Sequence, residues 1–264
     1  MSARVIITGA AGGIGGAAAE ALRANGARVI GLDLQSDGAD VLACDVRDQA
    51  SVDSAVAEAQ QRLGGIDVLI NNAGIGTPQS AGVAPDEGAL AVIDVNLLGA
   101  WRVTAAALPA LRESGGRVVN VASGLAHIVV PFATAYCMSK RGLVAYSDCL
   151  RMEHGDRLTV TTVYPGYVKT KIHDSSAALG VSLDGTMPAE PLEAAAAALV
   201  RAALGPPVRD LATTRQGTVQ YALARAAPRR IVDRVISSQV RRLAGKGHFD
   251  RSELARDFAE RQRN

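Results

Sequence analysis

The sequence predicts a single α/β domain of the Rossmann type, in which helices cover both faces of a doubly wound parallel sheet. Short apolar runs rich in valine and isoleucine alternate with helical stretches along the chain. A glycine-rich loop follows the first of these runs, and small or polar residues follow the later ones. The length of 264 residues and the apolar share of 48% suffice for one large core, so we expect residues 1–264 to form one domain.

Seven strands are predicted, because each run of apolar residues is short and is bounded by turn-forming or charged residues. They span residues 4–7, 27–32, 40–44, 67–70, 117–122, 159–163 and 208–214. Helices are predicted at 16–25, 50–63 and 85–101, and a further helix carries Tyr136. Since helices separate most consecutive strands, the sheet should be parallel and ligands should bind beyond the carboxyl ends of its strands.

The loop after the first strand has the composition of an anion-binding site. Residues 8–15 read TGAAGGIG and stand directly before a predicted helix. Glycine permits the tight turn and the close approach of a pyrophosphate to backbone amides, and the helix dipole favours negative charge there. We therefore expect a dinucleotide at Gly9, Gly13, Ile14 and Gly15, although the motif alone also fits a tight turn without a ligand.

Asp33 indicates which of the two nicotinamide dinucleotides, NAD or NADP, is bound. It ends the second strand about 20 residues past the glycine loop, where an acidic side chain binds the ribose hydroxyls of the adenosine. A carboxylate there repels a 2′-phosphate, and no lysine or arginine stands at Gly12, Leu34 or Gln35 to receive one. NAD is therefore predicted rather than NADP, with an aspartate that merely opens a surface turn as the alternative.

Tyr136 and Lys140 are four residues apart and share one face of the predicted helix. A nearby ammonium favours a phenolate, so we expect Lys140 to lower the pKa of Tyr136 from its usual value of about 10. Tyr136 then becomes an acid or base usable near neutral pH. The spacing by itself also fits a solvated lysine beside a half-buried tyrosine.

Other small or polar residues fall where parallel strands end, which is where ligands bind in such sheets. They are Asp45 and Val46, then Asn72, Ala73 and Gly74, then Ser123, then Pro165 and Gly166. Asn96 lies inside an apolar helical stretch, where a buried amide needs partners. It either bonds to neighbouring carbonyls or holds a water in a proton path.

The motifs described above, in their order along the chain, resemble those of the short-chain dehydrogenase/reductase family, and the resemblance covers residues 4–170. The resemblance implies that Tyr136 is the general base in alcohol oxidation and the acid in carbonyl reduction. It further implies that Ser123 bonds the substrate oxygen, that Lys140 holds the nicotinamide ribose, and that Asn96 places a water against Lys140. It also implies a homodimer or homotetramer built on the Asn96 and Tyr136 helices.

The resemblance also assigns the residues that contact the cofactor, some of them shared with catalysis. They are Gly9, Gly13, Ile14, Gly15, Asp33, Asp45, Val46, Asn72, Ala73, Gly74, Tyr136, Lys140, Pro165, Gly166, Val168 and Thr170. Val168 and Thr170 are expected at the carboxamide, where they fix the face of the ring that delivers hydride.

Residues 171–206 are predicted to form a substrate lid with few charges. The apolar or aromatic residues of this segment and of the loop before Tyr136 include His173, Leu179, Val181, Leu183 and Met187, and Leu125, His127, Val129, Val130 and Phe132. They indicate a lipophilic secondary alcohol or ketone, alicyclic or steroid-like, unless they only cover the sheet. Two alternatives stay open: a ketoreductase on acyl or polyketide carbonyls, which Asp33 disfavours, and a non-catalytic dinucleotide-binding protein.

Residues 215–264 are predicted to be a basic, helical C-terminal extension. From residue 209 onward there are 13 Lys and Arg against 6 Asp and Glu, and the stripe Val232, Ile236, Val240 and Leu243 recurs at helical spacing. The stripe either contacts a membrane surface or packs on its own subunit or a neighbouring one. Packing is favoured, because no bulky aromatic residue is present to anchor the helix in a membrane. Nucleic-acid binding is not expected, since no recognised motif accompanies the charge.

The three cysteines exclude two classes of structure. Cys44, Cys137 and Cys149 are too few and too irregular for a disulfide framework, and their spacing predicts no metal site. The formal net charge is only +2. No basic-then-apolar leader and no unbroken apolar run of about 18 residues is seen, so a cytoplasmic location is expected.

Overall fold

A computed structural model of the chain describes residues 2–36, 38–181 and 188–263. In these residues one parallel sheet runs in the order β3-β2-β1-β4-β5-β6-β9. Its strands are β1 (Arg4–Thr8), β2 (Arg28–Asp33), β3 (Val41–Ala43), β4 (Val68–Asn71), β5 (Arg117–Val121), β6 (Thr159–Tyr164) and β9 (Asp210–Ala212). The strand order reverses between β1 and β4, and a crevice at such a switch point is where ligands bind. The predicted fold class is confirmed.

Helices flank this sheet, and a second, short parallel pair lies beyond β6. The helices are α1 (Gly13–Ala24), α2 (Gln49–Leu63), α3 (Glu87–Ile93), α4 (Ala100–Ser114), α5 (Thr134–His154), α6 (Asp174–Ala178), α7 (Leu192–Leu204), α8 (Arg215–Ala226), α9 (Arg229–Gly245) and α10 (Arg256–Arg263). The short pair consists of β7 (Tyr167–Val168) and β8 (Ala189–Glu190).

The core has two layers because alternate residues of each strand point to opposite faces of the sheet. Ile6 of β1 packs with α2 and α4, through residues such as Val56 and Leu111. Val5 and Ile7 pack on the other side with α1 and α7, where Leu22 and Leu199 are fully buried. Burial on both faces explains why the strands read as continuous apolar runs.

The helix predicted at 85–101 is longer in the structure. A π-helical segment, Asp94–Gly99, joins α3 to α4, and α4 continues to Ser114 with Pro109 inside it. Proline usually ends a helix, but the burial of the apolar face of α4 in the core outweighs the lost hydrogen bond. Among the described residues, one helical stretch, Glu87–Ser114, is long and apolar enough to cross a membrane. Its packing on the sheet, through residues such as Val103 and Leu111, identifies it as a core helix.

The second half of the predicted lid, 171–206, belongs to the core. Leu192–Leu204 forms α7, whose residues Ala196, Leu199 and Ala203 are buried against α1 and the sheet. A short alanine-rich helix has the composition of a substrate lid, and only its tertiary packing shows that it is a core helix. Leu183 and Met187 lie outside the described residues.

The C-terminal extension folds back onto its own chain. The stripe residues Ile236, Val240 and Leu243 of α9 pack with Phe249 and Phe258 into a small separate cluster that also includes Phe132. The apolar face that suggested a membrane contact is therefore largely used within the subunit.

Candidate active site

The glycine loop between β1 and α1 has the geometry of a phosphate cradle. Gly9 and Gly13 have φ of 70° and 55°, a region that favours glycine. A Cβ on Gly15 would stand 2.0 Å from the carbonyl oxygen of Gly9, so only glycine fits there. Helix α1 starts after Gly12 without a side-chain cap, which leaves its first-turn amides available to an anion.

Asn72 fixes this loop to the end of β4. Its amide nitrogen donates to the carbonyl oxygens of Thr8 and Gly9 at 3.0 and 3.3 Å. In return, the Thr8 hydroxyl accepts the backbone N–H groups of Asn72 and Ala73 at 3.0 and 2.9 Å. Two of the predicted cofactor-binding segments are thereby joined at the switch point.

Asp33 stands at the mouth of the glycine loop, where its Oδ2 accepts the backbone N–H of Ala11 at 2.9 Å. From the far side of the crevice, Thr170 approaches the same loop, with its methyl group 3.5 Å from the Cβ position of Gly13. A glycine cradle that a Cβ would fill, an uncapped helix start and a carboxylate beyond β2 together fit a dinucleotide.

Asp45 and Val46 connect the end of β3 to neighbouring elements. The Asp45 carboxylate pairs with Arg47 at 2.7 Å, and this hydrogen-bonded guanidinium lowers the pKa of Asp45. Val46 is buried and packs against Gly99, whose Cβ position is 2.8 Å from a Val46 methyl group. Both residues therefore hold this edge of the crevice together, and their contact with a cofactor stays a prediction.

Ser123 and Tyr136 meet at the end of β5. Ser123 is buried, and its Oγ accepts the N–H of Leu125 at 3.1 Å. Burial raises the pKa of the Tyr136 phenol to about 12, and a hydrogen bond from the Ser123 side chain opposes part of that rise. The serine hydroxyl and the phenol are thus brought together as predicted.

Lys140 lies one helical turn beyond Tyr136 and is only 3% exposed. Its Nζ donates to the carbonyl oxygen of Val121 at 2.9 Å and stands 5.7 Å from the centroid of the Tyr136 ring. Burial lowers the pKa of Lys140 to about 8. The expected lowering of the Tyr136 pKa by Lys140 is not found; burial raises that pKa, and the group that opposes the rise is Ser123.

Asn96 sits in the π-helical segment, a feature that often marks functional sites. Its Oδ1 accepts the Ile75 N–H at 2.8 Å, and its Nδ2 donates to the Ile75 carbonyl at 3.0 Å and to Ser139 Oγ at 3.1 Å. The Cβ position of Gly74 lies 3.3 Å from Asn96 Oδ1 and 3.5 Å from Lys140 Nζ. Asn96 therefore binds neighbouring backbone and lies next to Lys140; a bridging water stays a prediction.

The turn after β6 is tied to the serine loop and to β8. Pro165 accepts the N–H of Gly124 at 2.9 Å, and Gly166 donates its N–H to Glu190 Oε2 at 3.1 Å. Glu190 also accepts the hydroxyl groups of Thr213 and Thr214. Val168 is buried in β7, and its carbonyl lies 3.1 Å from Nε2 of His173. Glu190 belongs to no local motif, so its role in this turn could not be predicted from the sequence.

An apolar pocket with a volume of ≈ 60 Å³ lies beside Tyr136. Its lining includes Leu125, Val130, Phe132, Tyr136, Ile172 and Val181. Leu125, Val130, Phe132, His173 and Val181 are among the residues predicted to face the substrate, whereas Ile172 is not.

Tyr221 of α8 is a second residue that the sequence did not identify. A Cβ on Gly124 would stand 2.2 Å from its hydroxyl, so it packs directly against the loop that carries Ser123. His127 lies 4.7 Å from Tyr164 and 5.9 Å from Tyr221 between ring centroids. Burial lowers the pKa of His127 to about 4, so the imidazole is neutral and contributes to packing.

A family model described as short chain dehydrogenase matches residues 3–178. The chain belongs to the short-chain dehydrogenase family. It is 36% identical over 189 residues to Oxidoreductase UcpA of Salmonella typhimurium, covering 65% of this chain and 72% of the relative. It is 35% identical over 183 residues to D-threitol dehydrogenase of Mycolicibacterium smegmatis, covering 63% of this chain and 70% of the relative.

Among solved structures, a short chain dehydrogenase from Burkholderia cenocepacia J2315 in complex with NADP superposes with a TM-score of 0.76 and 27% sequence identity. The alignment covers 89% of this chain and 98% of that one. As a short-chain dehydrogenase, the protein is an oxidoreductase that acts on alcohol or ketone groups of small molecules with a nicotinamide dinucleotide. The chain beyond residue 178 lies outside the family match.

Proposed function

We propose that this short-chain dehydrogenase interconverts a compact apolar secondary alcohol and its ketone with NAD as cofactor. The observation that carries the proposal is the contact between Ser123 and Tyr136 at the edge of an apolar pocket, with Lys140 buried one turn away. A nicotinamide dinucleotide, when bound, accepts or supplies the hydride. The chain's own residues position the substrate and move the proton.

In the proposed mechanism, Tyr136 takes the proton of the alcohol during oxidation and returns it during reduction. Ser123 donates a hydrogen bond to the substrate oxygen and stabilises the charge that develops there. Lys140 holds the ribose and supplies positive charge beside the phenol, and Asn96 keeps Gly74–Ile75 in place next to it. Burial raises the pKa of Tyr136 to about 12, and the Ser123 hydrogen bond opposes only part of that rise, so the positive charge of Lys140 must favour the ionised phenol during oxidation.

The preference for NAD rests on Asp33. Its carboxylate stands at the glycine loop, held by the Ala11 N–H at 2.9 Å. A 2′-phosphate at this position meets a negative charge at short range, which costs binding energy. A short chain dehydrogenase from Burkholderia cenocepacia was solved with NADP, so membership of the family does not by itself favour NAD, and the preference proposed here rests on Asp33.

The substrate class rests on the pocket beside Tyr136. Leu125, Val130, Phe132, Ile172 and Val181 present apolar side chains to it, next to the polar Thr77, His173 and Ser176. The hydroxyl groups of a polyol that face the apolar side chains would be left without partners. A volume of ≈ 60 Å³ is about the space of two water molecules, so either substrate requires the wall to move, and a steroid requires a larger movement than an alicyclic alcohol.

The test is a panel of secondary alcohols, from cyclohexanol to a steroid and including threitol, assayed with NAD and with NADP. Oxidation of apolar alcohols with NAD, and tighter binding of NADH than NADPH in fluorescence titrations, supports the proposal. Activity confined to acyl ketones with NADPH indicates a biosynthetic ketoreductase instead. NADH binding without turnover of any alcohol or ketone indicates a non-catalytic dinucleotide-binding protein.

We also propose a homodimer or homotetramer built on the helices that carry Asn96 and Tyr136. Trp101 of α4 is 56% exposed and Met152 of α5 is 90% exposed, and the Trp101 ring contacts Tyr146 of α5 at 5.5 Å. An apolar face of this kind is typical of an interface. Light scattering should give a multiple of the chain mass that Trp101→Glu reduces; a monomeric wild type contradicts the proposal.

A cytoplasmic location is proposed from the free thiols of Cys44, Cys137 and Cys149, which suit a reducing compartment. Fractionation of the source cells tests it, and recovery in an oxidising compartment contradicts it.

A further inference from the structure

Phe132 has an unusual backbone conformation for a large residue. Its φ is +63°, and among the described residues it is the one non-glycine residue with a positive φ. A bulky side chain occupies this region at a cost and stays there only when its surroundings hold it. The backbone is fixed in part by Gln79, whose N–H donates to the Phe132 carbonyl at 2.9 Å.

The C-terminal extension holds the side chain. The Phe132 ring lies 5.3 Å from Phe258 at an interplanar angle of 90°, and 6.1 Å from Phe249 at 60°. Phe249 and Phe258 are themselves 5.8 Å apart at 84°. These edge-to-face contacts are favourable geometries for aromatic rings. We call Phe132, Phe249 and Phe258 the aromatic cluster. Phe249 and Phe258 lie beyond the family match, which ends at residue 178.

Phe132 stands between two cavities. One is the pocket of ≈ 60 Å³ beside Tyr136. The other, of ≈ 790 Å³, is lined by residues of the extension such as Ile236, Val240 and Phe258. Both are lined by Val130, Pro131 and Phe132, so this short segment separates them. A shift of the Phe132 ring would therefore change the space available beside Tyr136.

The extension also contacts the opposite side of the pocket. The Cβ position of Gly180, which has a φ of +72°, lies 3.0 Å from the carbonyl carbon of Arg251. Val181, which lines the pocket, packs against the buried residues of the extension that include Val240 and Phe249. The same part of the extension thus touches both the loop before α5 and the segment after α6.

We propose that Phe132 determines the size of substrate that reaches Tyr136, and that Phe249 and Phe258 are positioning residues that hold it as a wall. The large cavity is then the space into which a bulkier substrate extends when the wall is removed. The inference rests on the proposed dehydrogenase function, because it concerns the substrate side of the same site.

The test compares kcat/KM for a bulky and a small secondary alcohol in the full-length protein. Phe132→Ala should raise the bulky-to-small ratio about tenfold or more, since a pocket wall discriminates by that order. Phe258→Ala should change the ratio in the same direction, and the double variant should add little beyond Phe132→Ala. Val235→Ala, which removes an exposed apolar side chain of α9, is the matched control and should leave the ratio unchanged.

Hydrogen exchange provides a readout that needs no turnover. Phe258→Ala should speed exchange of the Gln79 amide, which bonds to Phe132, while NADH affinity stays at the wild-type value. If Phe258→Ala unfolds the chain, Phe258→Leu keeps the apolar volume and serves in its place. An unchanged ratio and unchanged exchange in a folded Phe258 variant overturn the proposal. Faster exchange in a protein whose wild type oxidises no alcohol overturns the dehydrogenase function instead.

Discussion

The burial of the Lys140 ammonium has a measurable effect on stability. Burial lowers the pKa of this group from 10.5 to about 8, so below about pH 8 the folded protein bears the full cost of a buried charge. Above that pH the folded state loses the proton while the unfolded state keeps it up to about pH 10.5. Stability contributed by this residue therefore rises with pH across the window between the two values.

The size of the effect follows from the shift. Between about pH 7 and about pH 10, linkage predicts a gain of about 2.5 kcal/mol in the free energy of unfolding. Other groups also titrate there, so the measured quantity is the difference between wild type and Lys140→Met, which keeps the length of the side chain without the charge. Urea unfolding at a series of pH values, without added nucleotide, gives this difference.

Lys171→Met is the matched control, because Lys171 is exposed and its ammonium stays hydrated. The pH dependence found for Lys140→Met is compared with that found for Lys171→Met. Between about pH 7 and about pH 10, the free energy of unfolding of the wild type should increase by about 2.5 kcal/mol relative to that of Lys140→Met. A difference that stays constant within about 0.5 kcal/mol would refute the assignment of a strongly depressed Lys140 pKa by burial.

Two further predictions concern the cofactor crevice. Gly15→Ala should lower the free energy of unfolding by at least about 2 kcal/mol and abolish NADH binding, because its Cβ would stand 2.0 Å from a backbone oxygen; Gly245→Ala, which meets nothing within 4 Å and lies outside the crevice, is the control. A Gly15→Ala protein that unfolds and binds like wild type contradicts this geometry. Asp33→Asn should shift the NADPH-to-NADH affinity ratio about tenfold toward NADPH, whereas the exposed Asp53→Asn should not; equal ratios in fluorescence titrations would remove Asp33 from the selection of cofactor.

The parts of the site that sequence could predict are those set by local chain order. In a parallel sheet every strand ends at the same edge, so the glycine loop, Asp33, Asn72 and Ser123 come together once the strands are identified. Tyr136 and Lys140 follow from helix periodicity in the same way. Each of these inferences needs only a short window of sequence.

The features that could not be predicted from the sequence depend on contacts between segments that are distant in the chain. Phe132 and Phe258 are far apart in the chain, and no periodicity brings them together before the extension folds back. Helix α4 continues through Pro109 because burial of its apolar face outweighs the local signal to stop. The high pKa of Tyr136 likewise comes from burial, which the Tyr-to-Lys spacing does not reveal.

The most direct test of the chemistry is the comparison of wild type with Tyr136→Phe. The phenylalanine keeps the ring that Lys140 faces and removes only the hydroxyl that Ser123 contacts. Turnover of the best secondary alcohol, followed by NADH absorbance, should fall by about a thousandfold or more while the Kd for NADH changes by less than about twofold. A Tyr136→Phe protein with near wild-type kcat would show that the proton is transferred by another group.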